Sequence, residues 1–277
     1  MANLFFYKLI ISMISNGIKF SPTYTKGSTR THNIIRTQLS ERLYSEVMDL
    51  FASQACTEAK NNPKAGEFIS KDQLREIFAK ILPEPLNFKI QTSTKKNVKN
   101  NLSASMCAIS NKQGMEGYKL ILPLKDNQLY IEDIPELLHE AGHLLDYAIN
   151  PQYTANLISI GNKDFYKKLG EIYEKFYYTF TDYSLFRIKR VTKALLKNMS
   201  CEDKLNALKN IKLRLITESN AYLTENHYWQ ELKKHRKGMK KPPPPSPMNF
   251  RFREKIRLIN SMRYKIVAKE RKNISKT

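Results

Sequence analysis

The chain has 277 residues, 41% hydrophobic and 26% charged, which is apolar material enough for one large domain or two small ones with a substantial core. Its 47 lysines and arginines face 26 acids, a formal net charge of +21. A surface so basic is drawn to anionic partners: nucleic acid, acidic lipid or an acidic protein. Three widely spaced cysteines, Cys56, Cys107 and Cys201, with no Cys-x-x-Cys, argue against a disulfide framework and for a reducing compartment.

In chain order, Met1 to Phe20 is apolar but broken by Lys8 and closed by Ser15-Asn16-Gly17. It is too short to span a bilayer and lacks a clear small-residue cleavage site, so it reads as an element that packs on the domain, with an export signal as the alternative. Residues 21–36 are polar and read as a loop, so that residues 1–36 form an N-terminal segment. Leu43, Val47, Leu50 and Phe51 then make a helical stripe within roughly 38–60. Ser70-Lys71-Asp72-Gln73 fits a helix start, and Leu74, Ile77, Phe78 and Ile81 carry that helix to Pro83.

The period then changes. Leu86, Phe88 and Ile90 alternate with polar residues, as do Ala104, Met106 and Ala108 more weakly; Tyr118 to Leu122 is a third strand, closed by Pro123. Residues 111–114 and 115–117 read as turns between the last two. The next stretch is Leu137-Leu138-His139-Glu140-Ala141-Gly142-His143-Leu144-Leu145-Asp146. Asp133 and Glu136 have capping-box spacing and Pro135 falls in the first turn. Leu138, Ala141, Leu145 and Ile149 give a buried face, and Asn150-Pro151 ends the helix. On a helix His139 and His143 share a face and can reach one metal ion, with zinc the natural guess. Glu140 stands beside that ion without binding it, placed to take a proton from water. Asp146, one turn past His143, is either an acceptor that orients a ligand or a surface carboxylate.

This His-Glu-x-x-His run resembles that of the zincin metallopeptidases. The resemblance covers those ten residues and, more weakly, the order helices, small sheet, metal helix. It implies an α+β fold, a mostly helical zincin-like domain with a small mixed sheet before the metal-binding helix, in which an edge strand pairs with an extended substrate. Residues 103–109 are the candidate edge, or else an ordinary interior strand.

Beyond Pro151 the chain reads as helices. Phe165, Leu169, Ile172 and Phe176 form one stripe ending near Thr181, and Leu185, Ile188, Val191 and Leu195 another. From about Lys204 to Leu232, the residues Leu208, Ile211, Leu215, Glu218, Tyr222, Glu225, Trp229 and Leu232 fall on a single stripe. A carboxylate on a core-facing stripe is costly unless a metal or a basic partner offsets it. Alternatively the stripe ends early and the acids are solvated, Glu225 more readily than Glu218. Lys233-Lys234-His235-Arg236-Lys237 and the run Pro242-Pro243-Pro244-Pro245-Ser246-Pro247 then mark a stiff spacer. A basic segment with a short amphipathic pattern at Ile256, Ile259 and Met262 follows. It is either a docking tail for nucleic acid, anionic membrane or a partner, or simply solvated. The expected organisation is therefore 1–36, a metallopeptidase domain over 37–235, and a spacer with basic tail over 236–277.

The third-ligand pattern of metzincins fails here, because their ligand position falls on Ile149 and their glycine position on Asp146. What remains is similar to gluzincins, whose third ligand is a glutamate on a later helix, and Glu218 fits that role. The resemblance then implies peptide-bond hydrolysis with zinc held by His139, His143 and Glu218, Glu140 as general base, and Tyr222 as oxyanion donor, ahead of His227 and Tyr228. The substrate would be a peptide or protein. Some toxin peptidases carry a similar run, which makes a bacterial toxin or effector one reading. The alternative class is a basic protein that binds nucleic acid or anionic membrane, with a structural or degenerate metal site.

Overall fold

The structure is a computed structural model of the chain. It describes residues 26–58, 68–81, 88–93, 104–111, 114–149, 163–177, 182–236, 239, 242–246 and 248–274. The apolar segment 1–20, Leu86, Lys112-Gln113, Asn150-Pro151 and Thr181 lie outside the described residues, as do the side chains of Leu145, Ile149 and Phe165. The architecture is α+β: long helices and a small mixed sheet. No described helix is long and apolar enough to cross a membrane.

Helix α1 spans Lys26–Glu58. It starts within the polar stretch 21–36, read above as loop: Gly27 is the last glycine before Pro63 and nothing interrupts the helix that Leu39, Leu43, Val47 and Phe51 anchor. Polar residues carried on from a buried stripe adopt its helix because propagation costs little once a nucleus exists. Strand β1 (Phe68–Ser70) leads directly into α2 (Lys71–Ile81). Here the helix start is a reciprocal cap: the Gln73 amide donates to Ser70 Oγ at 3.2 Å and the Ser70 amide donates to Gln73 Oε1 at 2.8 Å. Leu74, Ile77, Phe78 and Ile81 are all buried, as their spacing requires.

Strands β2 (Phe88–Thr92), β3 (Ser105–Asn111) and β4 (Gly114–Leu122) form one sheet in the order β2-β4-β3. β2 runs parallel to β4, and β3 antiparallel to it, with a register shift between Ile109 and Ser110. The expected turns at 111–114 and 115–117 are shorter: pairing of Asn111 with Gly114 and Ser110 with Met115 continues the ladder almost to the hairpin tip. The bulge absorbs the odd residue, which a strict period of two does not reveal. β3 lies at an edge of this sheet among the described residues.

After β4, Asp126 (φ 51°) and Asn127 (φ 60°) take left-handed backbone, the pair of positive φ angles that closes a tight hairpin turn between Lys125 and Gln128. Strand β5 (Gln128–Tyr130) then pairs antiparallel with β1. One turn of 3₁₀ helix, Ile131–Asp133, brings the chain into α3 (Ile134–Ile149). Ile134, Leu137, Leu138, Ala141 and Leu144 on α3 are essentially inaccessible. α3 packs on α1 and on β3 and β4, so the helix carrying His139 and His143 is apolar on most of its circumference, as a helix buried on several sides must be.

Among the described residues four helices follow: α4 (Lys163–Tyr177), α5 (Asp182–Leu195), α6 (Cys201–His235) and α7 (Phe252–Ile274). α6 starts three residues before the expected position, capped by Ser200, whose Oγ accepts from the Asp203 amide at 3.0 Å. Contacts divide the chain into two compact units, 1–158 with 224–243 and 159–223 with 244–277. The division at residues 223 and 224 falls inside the unbroken helix α6, which is an element of both. The core of the first gathers α1, α2, the sheets, α3 and Tyr228. The second has its own core of Leu169, Ile172, Phe176, Leu208, Ile211 and Leu215. Phe250, Phe252, Ile259 and Met262 belong to that core too, so the basic segment after the prolines packs as a core helix.

Candidate metal centre

His139 and His143 sit mid-helix in α3, 7% and 8% exposed, with ring centroids 5.1 Å apart. Two imidazoles meeting edge to face in an apolar setting each need a partner for their nitrogens. His139 has one: its Nδ1 lies 2.8 Å from Glu225 Oε2. A carboxylate accepts, so Nδ1 is the nitrogen that donates to it, and Nε2 is then the nitrogen with which this ring would bind a cation. Glu140, the next residue, places Oε1 4.0 Å from that same Nε2. It lies beside the nitrogen yet is oriented apart from a direct bond, as a base working next to a metal would be.

The carboxylates come from α6. Its expected stripe is correct through its length: Leu208, Ile211, Leu215, Trp229 and Leu232 are buried. The stripe does not end before Glu225, which is buried at 8% exposure and bonded to His139. The reading of Glu225 as solvated is therefore overturned. Its desolvation is offset by the His139 hydrogen bond, and that partner lies 86 residues away in sequence, beyond what helical spacing can reveal. Stacking of Tyr228 on Tyr44, centroids 4.5 Å apart, fixes this end of α6 on α1.

Glu218 is partly buried, two turns before Glu225 on the same helix. One ligand-capable atom from each of His139, His143 and Glu218 lies within 4.8 Å of the others. That triad suits zinc: two imidazoles and one carboxylate are the usual number and type of protein ligands at a catalytic ion. Glu218 is itself held by Tyr173, whose hydroxyl donates to Oε1 at 3.2 Å. Nothing in the sequence singles out Tyr173 from the aromatic residues around it, such as Phe165, Tyr166, Phe176 and Tyr177.

Tyr222 belongs to an aromatic group of the second unit. Its hydroxyl shares a 2.8 Å hydrogen bond with Tyr177, and its ring stacks on Phe250 at 4.7 Å. Burial chiefly, then the charge of Glu218 and the contact with Tyr222, hold the Tyr177 phenol far above its ordinary range, so it stays a proton donor at any physiological pH. Asp146 is fully buried, which removes the surface-carboxylate reading. His227 is exposed, and Tyr228 is committed to its stack on Tyr44. Comparison with protein-family models, with curated proteins and with solved structures gave no match.

Proposed function

We propose that the chain is a zinc-dependent peptidase, with His139, His143 and Glu218 holding the ion. The observation that carries this reading is the state of His139: its Nδ1 is engaged by Glu225 at 2.8 Å, while Glu140 stands 4.0 Å from its Nε2. A carboxylate that fixes the tautomer of a histidine beside a second histidine is the arrangement that raises ligand basicity at metal sites. A bound zinc ion supplies Lewis acidity toward a carbonyl oxygen and lowers the pKa of water. Glu140 accepts the proton of the attacking water and delivers it to the leaving amine. Tyr222, whose hydroxyl shares a hydrogen bond with Tyr177, would stabilise the oxyanion. β3, which lies at a sheet edge among the described residues and packs beside α3, would offer its outer backbone groups to an extended peptide.

The test is metal analysis with hydrolysis of a mixed peptide library by wild type and His139→Ala. The reading requires about one zinc per chain and cleavage in the wild type alone. A metal-free wild type that cleaves nothing would leave only the reading of a basic binding protein.

A further inference from the structure

The second unit holds 23 of the 47 lysines and arginines but nine of the 26 acids, in about a third of the chain. Five of these basic residues converge on one concave place. The end of α5, the start of α6 and the second half of α7 enclose a groove of about 610 Å³, the size of an ordinary small-ligand site. Lys193, Lys197, Lys204, Lys265 and Lys269 line it, against the single acid Glu270. None of these five lysines forms an ion pair among the described residues. The spacing explains the convergence: residues 262, 265, 266 and 269 share one face of α7, and 193, 196 and 197 share one face at the end of α5.

Five ammonium groups this close repel one another and call for a compact polyanion or a phosphate. The floor narrows the choice. Leu196, Met262 and Ile266 line it together with the lysines, the first two largely buried, so the ligand has an apolar part next to its charge. No aromatic ring and no arginine lines the groove among the described residues, which removes the base stacking of single-stranded nucleic acid and the bidentate fork that favours exposed phosphate backbones. All four large apolar side chains that stand exposed among the described residues, Phe186, Leu223, Met248 and Tyr264, also belong to this unit. Exposed aromatic and aliphatic side chains among lysines are the composition of a surface that rests on a charged bilayer.

We propose that this groove binds the head group of an anionic phospholipid at a membrane surface, with the phosphate on the lysines and the first carbons below it on the Leu196, Met262 and Ile266 floor. The lysines act as point charges that tolerate varied head-group geometry, and the floor distinguishes a lipid from a free anion. The proposal does not depend on the metal centre.

The test is sedimentation of the full-length chain with vesicles of phosphatidylcholine alone, or with about 30% phosphatidylserine. Two triple variants are compared: Lys193→Ala/Lys265→Ala/Lys269→Ala in the groove, and Arg187→Ala/Lys209→Ala/Arg257→Ala elsewhere in the same unit. All six positions are exposed, so both variants should melt with the wild type. The wild type should bind only the acidic vesicles. The groove variant should lose roughly 100-fold in affinity and the control variant less than about fivefold, from the known contribution of a lysine near an acidic bilayer. Equal losses in the two variants would reduce the effect to diffuse charge and overturn the proposal. So would absence of binding to acidic vesicles, or loss of binding to a single-stranded RNA oligomer in the groove variant with vesicle binding intact.

Discussion

His139 Nδ1 and Glu225 Oε2 lie 2.8 Å apart inside the protein, joining the metal-motif helix α3 to the last third of α6. The pair gives Glu218 and Glu225 different work, though both are acids on one stripe of one helix. In the proposed site Glu225 would orient a ligand, and Glu218, whose carboxylate lies within 4.8 Å of the two histidines' ligand atoms, would be one.

Glu218→Ala should therefore abolish tight zinc binding, since two histidines alone make a weak site, whereas Glu225→Gln should lower affinity by about 10- to 100-fold while keeping the stoichiometry. Glu225→Gln is chosen because it keeps a hydrogen-bond acceptor and avoids a cavity. Titration with a competing chelator reads both. Equal loss in the two variants, or loss in Glu225→Gln alone, would make Glu225 the ligand.

The helix α2 cap predicts a local stability effect. Ser70→Ala removes the acceptor for the Gln73 amide and should cost about 1 kcal/mol in urea unfolding. Asp72→Ala breaks the 2.7 Å pair with Arg75, but both partners are exposed, so its effect should stay within a few tenths of a kcal/mol. If Asp72→Ala proved the costlier change, the cap would not be what holds this helix start.

Lys255 gives a pH dependence with a definite sign. Its side chain is fully buried, its ammonium donates to the Tyr177 carbonyl at 2.7 Å, and burial, aided by the charge of Arg251, lowers its pKa to about 8. Between that value and the ordinary lysine value of 10.5 the folded chain has released a proton that the unfolded chain still holds. Unfolding then takes up a proton, so this group makes stability rise as pH increases from about 8 toward 10. Above 10 Tyr177 opposes it, because its raised pKa keeps a proton in the fold that the unfolded chain loses. Lys255→Met should flatten the rise of the urea midpoint between pH 8 and 10; an unchanged slope would assign it to other groups.

Much of this fold is legible in local pattern. The α2 cap and stripe, the alternation in β2 and β4, the helix around His139 and the stripe from Leu208 to Leu232 are each set by residues within a few positions of one another. What the sequence hides depends on distant partners. Glu225 looks like a solvated acid until His139 is brought beside it, and Tyr173 looks like one aromatic among many until its hydroxyl meets Glu218. β1 and β5 are three residues each, too short to display a period. In α7 the amphipathic pattern at Ile259 and Met262 is legible among the basic residues, but not the distant core that buries them together with Phe250 and Phe252. A truncation within the prolines thus removes part of a core, where composition alone points to a separable tail.

The central claim is that Glu140 is the base of a zinc-dependent hydrolysis, and Glu140→Gln tests it most directly. The amide keeps the size of the carboxylate but cannot accept the proton, so the variant should hold about one zinc per chain, as the wild type does, and lose at least about 10²–10⁴-fold in peptide cleavage. Zinc-loaded Glu140→Gln cleaving peptides at the wild-type rate would contradict the account.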